Sequence, residues 1–435
     1  MKYYGVIGNR DYIKKHGEKR PFWEYLNVQP DGWLSSLVYK REDLPESVNP
    51  MIWDCGAWSY KNQEKPMLGS KALTPDYALS LYALYAVKGS MVIAPDHMML
   101  DGCNVSVRRR INERNAEQFI VPALENGFVP MATVHGQTIR QRVNSARRLV
   151  DMGYEHLAIG GVAVYASRKK VAIEIVETIR REFPTVYLHV LGLSSPSYFA
   201  KWTEIGVDSC DGSSHFKQAF TGGAFFTIQS CGKLLKHQAA RTGEEITAPK
   251  CDCKACTTLA SEGIDTRTYG SNESNMGRAA HNLNMLMVAQ KIASHGQVVL
   301  VSCVGKKAEF AQEAQNLYKS AWFDKAKRYA QKYGVDWYVL SAKYGLVHFK
   351  EIIEPYDVRL PQGGDVQWAQ TVADILHHKV NGAVLTVLAG KDYRDKLIPA
   401  LRELGHSIYV PMSGLGIGQQ LAFLDEHIVA QGQLI

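Results

Sequence analysis

Over roughly the first 206 residues, short apolar runs alternate with stretches whose apolar positions recur every three to four residues. Val92-Ile93-Ala94, Pro130-Met131-Ala132-Thr133-Val134, Leu157-Ala158-Ile159 and Val186-Tyr187-Leu188-His189-Val190 read as buried strands, because each is a short, mostly apolar run. Between them, residues 140–152 and 170–183 carry the helical period. Strand-helix alternation of this kind predicts a parallel α/β fold, and five or more units favour a TIM (β/α)8 barrel over an open sheet. The alternation breaks at residues 220–249, an aromatic, Gly-containing stretch. A second series follows, with strands predicted at 298–303, 337–341 and 384–388 and helices at 317–333 and 366–378. The expected organisation is a barrel within residues 1–290, a boundary at His295-Gly296, and a small α/β domain over 297–435.

Composition narrows the class. A chain of 435 residues, 46% hydrophobic and 21% charged, exceeds one compact domain and is too apolar to be disordered. No run approaches the ~18 apolar residues of a membrane span, and Met1-Lys2-Tyr3-Tyr4-Gly5-Val6-Ile7 is no secretory leader. A cytoplasmic location without membrane contact is expected. The net charge of +7 is mild, but Arg108-Arg109-Arg110, Arg147-Arg148, Arg168-Lys169-Lys170 and Arg180-Arg181 crowd into one half of the chain. That placement suits a polyanion and also plain solubility.

Eight cysteines are too sparse for a disulfide scaffold, yet three of them fall in Cys251-x-Cys253-x2-Cys256. With His281 they supply three thiolates and an imidazole, a closed tetrahedral set for structural Zn2+ with no position left for water. His97, His135 and His156 are alternative fourth ligands, but they lie far along the chain in the barrel series.

Cys251-x-Cys253-x2-Cys256 followed by Gly277-Arg278-Ala279-Ala280-His281-Asn282-Leu283 resembles the zinc subdomain of the tRNA-guanine transglycosylases. Here that subdomain would span about 229–290. In the same order as in that family, Trp53-Asp54-Cys55-Gly56-Ala57-Trp58 looks like its Asp-Ser-Gly-Gly-Phe segment, Ile159-Gly160-Gly161-Val162-Ala163 like its Gly-Gly-Leu-Ala loop, and Gly206-Val207-Asp208-Ser209-Cys210-Asp211 like its Gly-Ile-Asp-x-Phe-Asp segment. The resemblance implies a TIM barrel that exchanges guanine in a nucleic acid for a 7-deazaguanine. One carboxylate must attack C1′ while another manages protons on the two bases, the logic shared with retaining glycoside hydrolases. By its motif position Asp211 is the nucleophile and Asp54 the general acid/base. Asp208 is the competing nucleophile, and turn chemistry in Asp211-Gly212-Ser213 is the bland alternative for Asp211.

Base recognition is expected from other strand ends. Asp96 would accept hydrogen bonds from the N1–H and 2-amino group of a guanine-like base. Gly160, Gly161 and Val162 would let backbone approach a flat ligand. His135 stands where the family usually has a Gln, and is nearly as readable as a structural strand-end residue. Ala166 stands where relatives taking an aminomethyl base carry a Glu, so a neutral 7-cyano-7-deazaguanine (preQ0) is the expected base.

The residues beside both carboxylates look more like the bacterial and phage DNA-guanine transglycosylases, whose modification can protect DNA from restriction. DNA is therefore the expected polymer and tRNA the alternative, in the host cytoplasm if the chain is phage-encoded. A duplex would have to yield its guanine by base flipping, and the arginine clusters would supply phosphate contacts. A non-catalytic zinc-containing nucleic-acid-binding subunit is a further reading, disfavoured by the presence of both Asp54 and Asp211. Oligomeric state, a homodimer included, stays open. In the second domain, Ser302-Cys303, Ser341-Ala342-Lys343-Tyr344-Gly345 and Glu354-Pro355-Tyr356-Asp357 follow strands, where open sheets bind ligands. A phosphate or nucleic-acid strand near Lys306, Lys307 and Lys343 is expected there, against the alternative of solvated caps.

Overall fold

The computed structural model describes residues 1–8, 11–15, 18–39, 51–380 and 382–428. These form two units, one of residues 1–23 with 29–221, the other of residues 24–28 with the chain from Gly222 onward.

The first unit is a closed parallel barrel of eight strands. In spatial order they are Lys2–Val6, Ser209–Gly212, Tyr187–Val190, His156–Ile159, Val129–Val134, Met91–Ile93, Met51–Asp54 and Gly32–Ser36. The first strand closes the ring by pairing on one side with Ser209–Gly212 and on the other with Gly32–Ser36. Barrel strands are covered on both faces, so they read as continuous apolar runs rather than alternating ones. The four expected from the pattern are present, shifted by a residue or two at their ends. Of the other four, Lys2–Val6, Gly32–Ser36 and Ser209–Gly212 carry no such apolar run, while Met51–Asp54 holds the short run Met51-Ile52-Trp53.

Local chemistry sets the helix boundaries. Ile139–Asp151 opens on a capping box between Thr138 and Gln141, and Pro75–Tyr85 on a Thr74 cap with Pro at its first position. Pro196–Ile205 ends at Gly206, whose φ of 81° turns the chain back toward the strand that bears Asp211.

The second unit begins with an antiparallel hairpin, Ala224–Ile228 with Leu234–Gln238, followed by helices Lys254–Ser261 and Asn272–His295. It continues into a five-stranded sheet ordered Gly345–His348, Asp336–Ser341, Gln297–Ser302, Val384–Leu388 and Ile408–Tyr409. All neighbours are parallel except the antiparallel edge strand Gly345–His348. Period-two side chains build its two faces. Val299 and Val301 pack with Phe323, Tyr329 and Leu424, while Val298 and Leu300 pack with Val372, Leu376 and Leu397. Thr386 is buried in this apolar sheet because its hydroxyl donates to Gln297 Oε1 at 2.6 Å.

The helix expected over 317–333 starts later, at Ala321. Ser320 caps it, accepting from the Phe323 N–H at 3.0 Å, so Leu317 falls in a separate short helix, Ala314–Leu317. No helix among the described residues is long and apolar enough to cross a membrane.

Candidate active site and metal cluster

Asp211 lies on Ser209–Gly212 and is 5% exposed. Its Oδ1 accepts from the Gly192 N–H at 2.8 Å and lies 3.1 Å from His189 Nε2. The other ring nitrogen of His189, Nδ1, is 2.7 Å from Ser209 Oγ, and that oxygen accepts from Tyr187 OH at 2.9 Å. One proton arrangement satisfies every member. Tyr187 donates to Ser209, Ser209 donates to Nδ1, and a neutral imidazole donates from Nε2 to Asp211. Two donors thus hold one carboxylate oxygen in place, and Oδ2 has no protein hydrogen bond among the described residues. That leaves a fixed carboxyl group with one oxygen not engaged by the protein.

Asp208, the rival nucleophile, is engaged elsewhere. Its Oδ2 accepts from Arg180 Nη2 at 2.5 Å and from the Leu188 N–H at 2.8 Å. It precedes the strand whose far end carries Asp211, on the amino-terminal side where barrels concentrate stability contacts.

Asp54 closes Met51–Asp54 and is half-buried. Oδ2 accepts from the Gly56 N–H at 2.9 Å. Gly56 has φ 88°, and a Cβ there would stand 2.2 Å from Val38 Cγ2, so only glycine fits this turn. Burial first, and then the negative charge of Asp96, push the Asp54 carboxyl from 3.8 up to about 7, against the lowering effect of the Gly56 N–H. The charge of Asp211 also raises it, so the three carboxylates share one electrostatic neighbourhood.

Asp96 is buried, with each oxygen already engaged. Oδ1 accepts from the Cys55 thiol at 2.9 Å, and Oδ2 lies 2.5 Å from His135 Nε2. Burial and the Asp96 charge hold the Cys55 thiol well above its ordinary value, so it remains a donor. Each carboxylate oxygen keeps a second lone pair for a ligand. His135 therefore meets Asp96. Gly160 packs against the same place, since a Cβ there would lie 2.4 Å from Thr133 Cγ2 and 3.1 Å from His135 Cε1. Its carbonyl accepts from the buried Arg142 at 2.7 Å, Gly161 has φ 67°, and Val162 is fully buried. The glycine pair thus also serves the packing of the strand ends. Ala166 caps the short helix Ala163–Tyr165, its carbonyl accepting from Tyr198 OH.

His189 and Gly192 carry contacts from outside every motif of the sequence, and Cys55 and Ser209 sit inside two of those motifs with no role assigned to them there. The available signal was a polar residue within an apolar strand run, His189 in Tyr187-Leu188-His189-Val190. Period two places it on the same side as Tyr187.

The asymmetry between the carboxylates predicts a pH signature. In the folded protein Asp54 holds its proton up to about pH 7, whereas an unfolded chain releases it near 3.8. Folding stability from this group is therefore lost as pH rises from about 4 to 7 and stays low above. Asp54→Asn, which cannot ionise, is expected to melt a few degrees above the wild type at pH 8, with a much smaller gap at pH 5. Thermal melts at both values check it, and a gap independent of pH counts against the raised carboxyl.

In the second unit, the ligand atoms of Cys251, Cys253, Cys256 and His281 all lie within 4.8 Å of one another. Cys253 Sγ and Cys256 Sγ are each 3.4 Å from His281 Nδ1. His281 Nε2 is 2.6 Å from the Phe226 carbonyl and must carry the proton, which leaves the Nδ1 lone pair facing the sulfurs. The ring stacks on Phe225 at 3.8 Å. His281 sits near the middle of Asn272–His295. The donor set fits a metal ion such as zinc, with all four ligands from protein. The alternative histidines belong to the barrel unit. His97 Nε2 meets the Gln63 carbonyl, His135 meets Asp96, and His156 packs on Tyr187.

Residues 107–291 match the family described as queuine tRNA-ribosyltransferase, and residues 298–426 a family of unknown function (DUF6884). The chain is 28% identical over 187 residues to a DNA-guanine transglycosylase of Salmonella montevideo, covering 41% of this chain and 43% of that protein. To a queuine tRNA-ribosyltransferase of Koribacter versatilis (strain Ellin345) it is 28% identical over 146 residues, 33% of this chain and 37% of the other. An uncharacterized protein, YfjM, of Bacillus subtilis (strain 168) is 28% identical over 125 residues, 28% of this chain and 83% of its own length. The chain thus spans less than half the length of the first two relatives.

Proposed function

We propose that this chain, which carries a domain of the tRNA-guanine transglycosylase family at residues 107–291, exchanges guanine in DNA for a 7-deazaguanine through an ester on Asp211. The observation that carries the reading is Asp211 itself, with Oδ1 fixed by two donors and Oδ2 unengaged. Oδ2 attacks C1′ as the C1′–N9 bond breaks, and the electron pair of that bond leaves with guanine. Asp54, poised near neutrality, gives its proton to the departing base. It then takes the N9 proton of the incoming base, whose nitrogen displaces Asp211 from C1′. Asp96, oriented by His135 and Cys55, receives the N–H edge of each base. Cys251, Cys253, Cys256 and His281 hold Zn2+, which ties loop to helix and takes no part in the exchange.

One point favours DNA over tRNA as the polymer: the DNA-guanine transglycosylase aligns with a larger share of this chain than the tRNA enzyme does. A non-catalytic subunit would have no use for a nucleophile held by the Tyr187–Ser209–His189 relay. Ala166 offers no carboxylate for an ammonium, so a nitrile-bearing base is the fitting partner.

A single assay tests polymer and base. Release of labelled guanine from purified DNA and from tRNA is measured with 7-cyano- and aminomethyl-deazaguanine in competition. Release from DNA with at least tenfold preference for the cyano base is expected. Release confined to tRNA refutes the DNA reading and leaves the chemistry of Asp54 and Asp211 standing.

A further inference from the structure

The sheet of the second unit has a ligand edge of its own. Past the carboxyl ends of Gln297–Ser302 and Val384–Leu388 lies a cleft of about 400 Å³, lined in part by Cys303, Gly305, Lys307, Asp357, Arg359 and Tyr393. Open parallel sheets bind ligands at such edges. The volume lies in the range of roughly 300–1,000 Å³ typical of small-molecule sites. A bare phosphate would leave most of it empty.

A hydroxyl network lies next to the lining residues Cys303 and Tyr393. Ser341 Oγ donates to Tyr356 OH at 2.7 Å, Tyr318 OH is 3.0 Å from the same oxygen, and Tyr393 OH is 2.9 Å from Cys303 Sγ. Burial and the neighbouring Cys303 raise the Tyr356 and Tyr393 phenols, so both remain protonated donors. Above them Lys307 Nζ stands 4.2 Å from the Tyr356 ring. Among the described residues, the side chains of Arg359 and Asp357 make no hydrogen bond or ion pair, although both line the cleft. Lys307, Arg359, Asp357 and Asp392 are the charged residues that line the cleft, with Lys306 next to Lys307 in sequence and Lys343 Nζ 6.0 Å from the Tyr356 ring. The helix Lys391–Glu403 starts at the same edge from Gly390, without a side-chain cap on its first N–H groups.

An unpaired guanidinium and lysines answer a phosphate, and an unpaired carboxylate answers base or sugar donors. We propose that this cleft binds a nucleotide, its phosphate on Lys307 and Arg359 and its base or sugar donors on Asp357. The nucleotide is either free or part of a nucleic-acid strand. Whatever the barrel does to guanine, this cleft shares no residue with Asp54, Asp96 and Asp211.

Isothermal titration of the full-length protein with each of the four ribonucleoside monophosphates, adenosine, inorganic phosphate, and oligo(dT) with and without a 5′-phosphate separates the possibilities. None of the thymidine probes offers guanine to the barrel. Saturable binding of at least one phosphorylated probe is expected, with adenosine inert and phosphate weaker. Arg359→Ala and Lys307→Ala should each weaken it at least tenfold with an unchanged melting temperature. Asp357→Asn should weaken the nucleotides but not phosphate. Oligo(dT) binding at least tenfold tighter than any mononucleotide assigns the site to a strand, and comparable affinity assigns it to a free nucleotide. Absence of binding at millimolar concentration, or binding indifferent to both cation substitutions, overturns the proposal.

Discussion

Replacing Asp211 by Asn is expected to abolish base exchange, by a factor on the order of 10⁵ or more, the scale on which covalent enzymes lose rate when their nucleophile is removed. An amide oxygen still accepts from the Gly192 N–H and His189, so the fold and metal content should be unchanged. What disappears is the oxygen that displaces guanine. The matching observation in the wild type is a protein–nucleic acid adduct that survives denaturation, accumulates when no incoming base is supplied, and maps by mass spectrometry to Asp211. Asp208→Asn provides the contrast. It removes the charge that pairs with Arg180, although an amide oxygen can still accept from the Leu188 N–H, and should lower the melting temperature while retaining the adduct. An adduct at Asp208, or exchange by the Asp211→Asn protein, would refute the assignment.

The difference between those two aspartates marks how far a sequence can be read. Asp208 and Asp211 are three positions apart in one short segment, and residue type alone does not separate them. The resemblance chooses Asp211, and the structure sets the two apart, with Asp211 near the carboxyl end of the strand and Asp208 just before its amino end. The barrel itself is legible because four of its strands are mostly apolar runs. Lys2–Val6, Gly32–Ser36, Met51–Asp54 and Ser209–Gly212 are not legible in the same way. Their polar and aromatic residues are buried through long-range pairing, as in Tyr3 OH donating to the Gly212 carbonyl, a contact spanning 209 residues. Local periodicity contains no record of it.

At the site, the side chains with obvious chemistry were legible and those holding them were not. Asp96 is visible as a strand-end acid, but its thiol donor comes from Cys55 and its imidazole partner from His135, each on a different strand end. Gly160 and Gly161 suggest open backbone for a ligand, yet Gly160 is also needed so that Thr133 and His135 can pack. His189 is inconspicuous in its apolar run because its partners, Ser209 and Asp211, lie 20 and 22 residues away.

The metal cluster is the opposite case, legible from spacing alone, and it gives the second large expected effect. His281→Ala should lose zinc and destabilise the elements around residues 229–290. Structural zinc contributes roughly 10–16 kcal/mol in isolated zinc-finger peptides. Here the loss should be smaller, several kcal/mol, because Asn272–His295 also buries Met276, Leu283, Leu286 and Met287. The substitution removes the Phe226 hydrogen bond and the stacking on Phe225 as well, so it cannot by itself assign the loss to metal. Cys253→Ala separates the two effects. Cys253 starts Lys254–Ser261 without a side-chain capping bond, so its replacement costs the fold little apart from the metal. His281→Cys offers a fourth thiolate, a common tetrahedral set, and should recover zinc while losing the ring contacts. Zinc per chain by elemental analysis, melting temperature, and proteolysis between residues 229 and 290 are the readouts. If zinc is structural, Cys253→Ala loses zinc and is destabilised and protease-sensitive, though less than His281→Ala, and His281→Cys retains metal. A zinc-free Cys253→Ala protein that melts and resists protease like the wild type would show that the cluster does not stabilise the fold.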